Sequence, residues 1–146
     1  MAKLATKRKT GKGLRLEVVN SNAAGIDISP KEMQVCVPVD RAENSNRKFG
    51  VYTEDLNNIV EWLKSCHIDT VAMESTGVYW LPIFRVLKDS GFDVILVNAS
   101  DVKNYSGRKT DASDAEWLMM LHSYGLLKPC FQPENIARTM RSLIRH

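Results

Sequence analysis

The stretch Ala23-Ala24-Gly25-Ile26-Asp27-Ile28-Ser29-Pro30-Lys31-Glu32-Met33-Gln34-Val35-Cys36-Val37 decides the fold. Ala24, Ile26 and Ile28 alternate with Gly25, Asp27 and Ser29, and a period of two is the pattern of a strand with one face turned inward. Pro30-Lys31 marks a turn, after which Met33, Val35, Val37 and Val39 alternate again, so the pair predicts a β-hairpin. A polar loop, Asp40 to Asn46, leads to a third strand expected over Lys48–Tyr52.

The period then changes. Thr53 is a candidate N-cap, followed by Glu54 and Asp55, whose charge suits a helix start. Leu56, Ile59, Val60 and Leu63 fall at i, i+3, i+4 and i+7 and make one apolar helix face. Ile68 to Met73 predicts a strand, and Ser75-Thr76-Gly77 opens a helix that Gly91 ends, with Pro82 near its first turn. Phe92 to Val97 contains Val-Ile-Leu-Val, the run of a strand covered on both faces. A last helix is expected from about Asp111 to Tyr124, closed by Gly125. The order βββ-α-β-α-β-α is that of an α/β domain with an antiparallel start and a parallel remainder.

Size and charge narrow the possibilities. A chain of 146 residues is one domain or little more. Its longest apolar run, Trp117–Leu121, falls far short of the roughly 20 residues of a membrane span, and Met1–Arg15 lacks the apolar stretch of a secretory signal. Three widely spaced cysteines, Cys36, Cys66 and Cys130, form no paired metal spacing and suit a reducing compartment. The net charge of +3 is uneven: residues 1–20 hold six Lys/Arg and one Glu. This predicts a basic flexible arm over residues 1–22, attracted to phosphate, ahead of a catalytic domain over 23–130. From Pro133 a narrow stripe of Ile136, Met140, Leu143 and Ile144 predicts a helical, coiled-coil-like segment beginning within 131–146.

Four acids carry the chemistry. Asp27 lies in the first strand of the hairpin, on the face opposite Ile26 and Ile28, and Glu74 follows the strand Ile68–Met73 at its C-terminal end. Asp111 and Asp114 are three apart at the expected helix start and would share a face. Strand ends and a helix start are the parts of such a fold that converge on one edge. Two unit charges 4 Å apart repel by about 4 kcal/mol at an effective dielectric near 20, so clustered acids call for cations. Hard divalent ions with oxygen ligands serve, and two Mg²⁺ ions about 4 Å apart can activate an attacking oxygen and stabilise a leaving one in phosphoryl transfer. The following features extend the phosphodiester reading: Lys103, Tyr105, Arg108 and Lys109 lie on a loop with Gly107, suited to hold a backbone phosphate and stack on a base. Taken singly, each acid also fits a cap, a solvated strand end or a turn. His67 and His122 are isolated, and Trp117, Met120 and Tyr124 are expected to pack.

The stretches Gly25-Ile26-Asp27-Ile28-Ser29, Ala72-Met73-Glu74-Ser75-Thr76-Gly77-Val78-Tyr79-Trp80, Val97-Asn98-Ala99 and Gly107-Arg108-Lys109-Thr110-Asp111-Ala112-Ser113-Asp114-Ala115, in this order, resemble the insertion-sequence-110 family of transposases, which are DEDD recombinases, over about residues 23–135. The resemblance implies a ribonuclease H-like, RuvC-like mixed sheet and a metal-binding, catalytic tetrad of Asp27, Glu74, Asp111 and Asp114, served by Mg²⁺ with Mn²⁺ as a substitute. It further implies a cytoplasmic prokaryotic enzyme that moves a DNA element, in some members guided by a structured RNA, and that works as a homo-oligomer. Family members continue into a second domain with a serine nucleophile, so this chain is expected to be an amino-terminal portion that binds metal without completing strand exchange. A RuvC-like junction nuclease and a non-catalytic nucleic-acid-binding module are the rival readings. A sugar-kinase or actin-like half-domain also opens on Gly-Ile-Asp, but Ser29-Pro30-Lys31 with no later glycine cluster argues against it.

Overall fold

The computed structural model describes residues 8–10, 14–74, 77–103 and 113–130. Its elements are β1 (Arg8–Thr10), β2 (Leu14–Leu16), β3 (Ala23–Ile28), β4 (Met33–Cys36), β5 (Asn46–Phe49), α1 (Thr53–Ser65), β6 (Thr70–Glu74), α2 (Trp80–Asp89), β7 (Asp93–Val97), α3 (Ala99–Lys103) and α4 (Asp114–Ser123). β1 and β2 pair as a small antiparallel ribbon. The other strands form one sheet in the order β5-β4-β3-β6-β7.

The expected hairpin is β3 and β4, antiparallel, with Ile26 opposite Val35 and Asp27 opposite Gln34. β5 extends it antiparallel, whereas β6 joins the other side of β3 in parallel and β7 continues in parallel beyond it. Counting the five strands of this sheet in chain order gives 3-2-1-4-5, the ribonuclease H-like topology.

Strand alternation separates the two faces. Ala24, Ile26, Met33, Val35, Val71, Met73, Val94 and Leu96 point to one side and build the main core with Leu56, Ile59, Val60 and Leu63 of α1 and Trp80, Ile83, Phe84 and Leu87 of α2. The α1 face is the one its i, i+3, i+4, i+7 spacing predicts. The opposite face is covered by α4, whose Leu118 and Leu121 pack with Trp117 on Val97 and Val102. Here the strands carry small residues: Ala23 and Gly25 on β3 and Ala72 on β6, all buried. A Cβ added to Gly25 would lie 2.4 Å from the Ala115 carbonyl oxygen and 2.5 Å from the Met119 nitrogen. The glycine is therefore required by the approach of one backbone to another, not by its torsion angles.

α4 is also fixed at both ends. At its start, Ser113 Oγ accepts hydrogen bonds from the Glu116 N–H at 3.1 Å and from Asn46 Nδ2 at 3.0 Å. Near its end, His122 Nε2 meets Thr70 Oγ1 at 2.8 Å, both side chains buried. The N–H groups of Val19 and Asn20 bond the Ser123 carbonyl at 2.8 and 2.9 Å, which ties the chain entering β3 to the same helix end.

Several boundaries differ from expectation. The third strand is Asn46–Phe49, and Tyr52 rather than Thr53 is the N-cap of α1, its N–H donating to the Asp55 carboxylate at 3.0 Å. α2 starts at Trp80 rather than at Ser75, because Gly77 takes φ +59 and Gly77–Tyr79 form a turn. Ser75 and Thr76 lie outside the described residues. The helix expected from Asp111 starts at Asp114, since Ser113 is extended at φ −72, ψ 164. The expected shared face of Asp111 and Asp114 involves Asp111, which lies outside the described residues. α3 is an additional short helix. The arm read over residues 1–22 contains the β1–β2 ribbon, while the stripe from Ile136 to Ile144 lies outside the described residues. Among the described residues no helix is long and apolar enough to cross a membrane.

The substitution Gly25→Ala is expected to destabilise the protein by about 2–3 kcal/mol, the upper part of the range for overpacking a close contact. Urea denaturation measures it, and an unchanged midpoint would show that α4 does not rest on β3.

Candidate metal centre

β3 and β6 are parallel neighbours, with Ala24 beside Val71, Gly25 beside Ala72 and Ile26 beside Met73. One step further along this register, Asp27 comes beside Glu74. Both are on the face that α4 covers, because Ile26 and Met73 belong to the opposite core and side chains alternate. Neighbouring strands lie about 4.8 Å apart, so the two carboxylates start from adjacent backbone positions at the C-terminal edge of the parallel strands. Each is half-buried.

The topology gives this edge a further property. From β3 the chain runs outward through β4 and β5, then returns through α1 to β6 on the other side of β3. Asp27 and Glu74 therefore flank the point where strand order reverses, and open α/β sheets bind ligands at such points, beyond the carboxyl ends of their strands.

Asp114 is the first residue of α4 and is exposed. Its helix start is held over the β4–β5 side of the sheet by the bond from Asn46 to Ser113. Among the described residues no three His, Cys, Asp or Glu side chains come close enough to hold a metal ion, so Asp114 does not complete a triad with Asp27 and Glu74 in this structure. Asp111 lies outside the described residues, as do Tyr105, Arg108 and Lys109; Lys103 ends α3.

The donor set nevertheless suits a hard cation. Asp27, Glu74 and Asp114 offer carboxylate oxygens, the ligand type of Mg²⁺ and Mn²⁺. The one thiol on the same sheet face, Cys36, packs beneath α4 against Ala115 and Met119. Burial, reinforced by the Glu116 carboxylate, pushes its pKa up to about 12, so it stays a neutral packing group and no soft ligand.

Comparison with known families decides the identity. The model of the DEDD transposases of the insertion-sequence-110 type, described as Transposase, matches residues 24–146. The chain belongs to this family. The match spans β3 through α4, so the sheet and both of its faces belong to the transposase domain. Comparison with curated proteins returned no match. DEDD transposases act on DNA and are typically metal-dependent, which accords with an acidic pair at the sheet edge.

The polar groups that sequence reasoning passed over are Thr70 and His122. They are 52 positions apart and become partners only when α4 crosses β6. They sit at the start of β6, the end opposite Glu74, so they fix the helix rather than join the site. Sequence reasoning likewise gave no role to Gln34, a polar residue within the hairpin, or to Asn46, read as the end of a polar loop and found at the start of β5. Of the stripe expected to pack, Trp117 is buried, Tyr124 is half-buried and Met120 is exposed.

Burial lowers the His122 pKa from its ordinary 6.5, against the opposing pull of the Asp93 and Asp69 carboxylates. The folded state therefore resists protonation that the unfolded chain accepts. The stabilisation is complete above about pH 6.5 and is lost as pH falls toward the depressed folded value. Melting temperature should drop between pH 7 and 5, and His122→Gln should flatten that slope. An equal slope in the variant would remove His122 from the account.

Proposed function

We propose that this transposase domain performs metal-dependent phosphodiester chemistry with Asp27, Glu74, Asp111 and Asp114 as its ligand tetrad. The observation that supports it most is the register that sets Asp27 beside Glu74 at the switch point of the sheet. Two Mg²⁺ ions balance four carboxylates, and Mn²⁺ can replace them. Cations held by these carboxylates would supply Lewis-acid polarisation of a phosphodiester and charge stabilisation for its attacking and leaving oxygens. The protein's own contribution is placement: Asp27 and Glu74 are carried on paired strands, and Asp114 on a helix start anchored to the sheet.

DNA is held by Lys103, Arg108 and Lys109 through its phosphates and by Tyr105 stacking on a base or sugar. Oligomerisation through the stripe Ile136–Ile144 brings further copies, and a structured RNA can share the DNA-facing edge. Action on DNA in a prokaryotic cytoplasm completes the reading.

Mn²⁺ titration followed by electron paramagnetic resonance tests it. Asp27→Asn and Glu74→Gln should each weaken Mn²⁺ binding by roughly tenfold or more, since even groups that only support a ligand contribute 10–100-fold. Unchanged affinity in both variants would contradict the assignment. The parent chain should bind metal and DNA without recombining DNA by itself.

A further inference from the structure

We propose that Gln34 and Asn46 are positioning residues, a side-chain relay that sets the distance between Asp27 and the acid-bearing start of α4. This rests on the tetrad reading given above. Gln34 is the cross-strand partner of Asp27, so it stands on the same sheet face one strand away. Its Nε2 donates to Asn46 Oδ1. Asn46, on β5, is in register with Cys36, which is in register with Gly25. Asn46 Nδ2 then donates to Ser113 Oγ at 3.0 Å. Ser113 immediately precedes Asp114 and is the N-cap of α4.

The string runs Gln34 to Asn46 to Ser113, from the neighbour of the first acid to the neighbour of the last. Starting the helix does not require it: the N-cap needs only the bond from the Glu116 N–H to Ser113 Oγ. The second donor adds something else, a tie from the helix start to the edge of the sheet. Both ends of the Asn46 amide are used, so it cannot rotate without losing one bond. All three side chains are shielded from full solvent contact, which strengthens such bonds and raises the cost of leaving one unmade. Gly25 sets how near α4 lies to the sheet, and Thr70–His122 pins its far end. The relay removes the remaining freedom, a swing of the N-terminal end across the sheet. Misplacement by about 1 Å is enough to impair a ligand set.

Mn²⁺ alone is the probe, titrated into the full chain and its variants. Asn46→Ala and Ser113→Ala should each weaken Mn²⁺ about tenfold, the effect of losing a group that orients a ligand. The double variant should be no weaker than the poorer single, because both act through one string. Ser113→Thr, which keeps the accepting oxygen, should restore binding to within about twofold of the parent. Gly91→Ala serves as the stability control: its φ of +96 strains any side chain while nothing lies near the added Cβ. It should lower the urea midpoint and leave Mn²⁺ affinity intact. Asn46→Ala binding Mn²⁺ within about twofold of the parent, while Asp27→Asn loses it, would overturn the positioning role and leave the tetrad standing. Additive effects in the double variant would overturn the relay as well. Unchanged binding in Asp27→Asn would overturn the acid assignment and the relay together.

Discussion

Everything at this site depends on how closely one helix backbone approaches one strand. α4 rests on β3 at Gly25, where no Cβ can be accommodated, and a contact between backbones leaves little room to slide. Small residues on the neighbouring strands extend the seat, and polar bonds fix its two ends. The same strand that offers Gly25 to the helix offers Asp27 two residues later, on the same face. The seating of α4 and the position of its start relative to the strand that carries Asp27 are thus one geometric event.

The division of labour between the faces follows from this. On the side of α1 and α2 the strands carry Ile, Val, Met and Leu, and stability comes from burial of large apolar groups. On the side of α4, β3 and β6 carry Ala, Gly and Thr and the hairpin strands carry amides and Cys36, with acids at the edge, while β7 adds Ile95 and Val97. Such a face contributes less apolar burial and more fixed geometry. Trp80 ties the turn beyond the sheet edge to the main core: its indole N–H donates to the Gly77 carbonyl at 3.0 Å while its ring packs edge-on to Phe84. The turn that follows Glu74 is anchored by that bond.

Much of this was legible in the residues themselves. Alternation over Ala24–Ile28 gave the hairpin and the orientation of Asp27, because a half-buried strand must alternate. The spacing of Leu56, Ile59, Val60 and Leu63 identified the buried face of α1, and Gly91 and Gly125 marked helix ends, each with positive φ. The start of α4 was misjudged because Asp111 and Ser113 are both good caps by composition, and only the tie to Asn46 selects Ser113. Gly25 looked like a strand residue of no special meaning; its role needs the position of a helix ninety residues further on. Thr70, His122, Gln34 and Asn46 escaped notice for the same reason, since long-range hydrogen bonds leave no periodic signature.

The chemistry assigned to the sheet edge has a direct physical consequence, the location of a bound ion. Crystals grown or soaked with Mn²⁺, measured at a wavelength where manganese scatters anomalously, test it without reference to activity. The account predicts an anomalous peak within about 2.5 Å of carboxylate oxygens of both Asp27 and Glu74. A peak held elsewhere on the molecule, or a Mn²⁺-saturated crystal with none between these two residues, would contradict it.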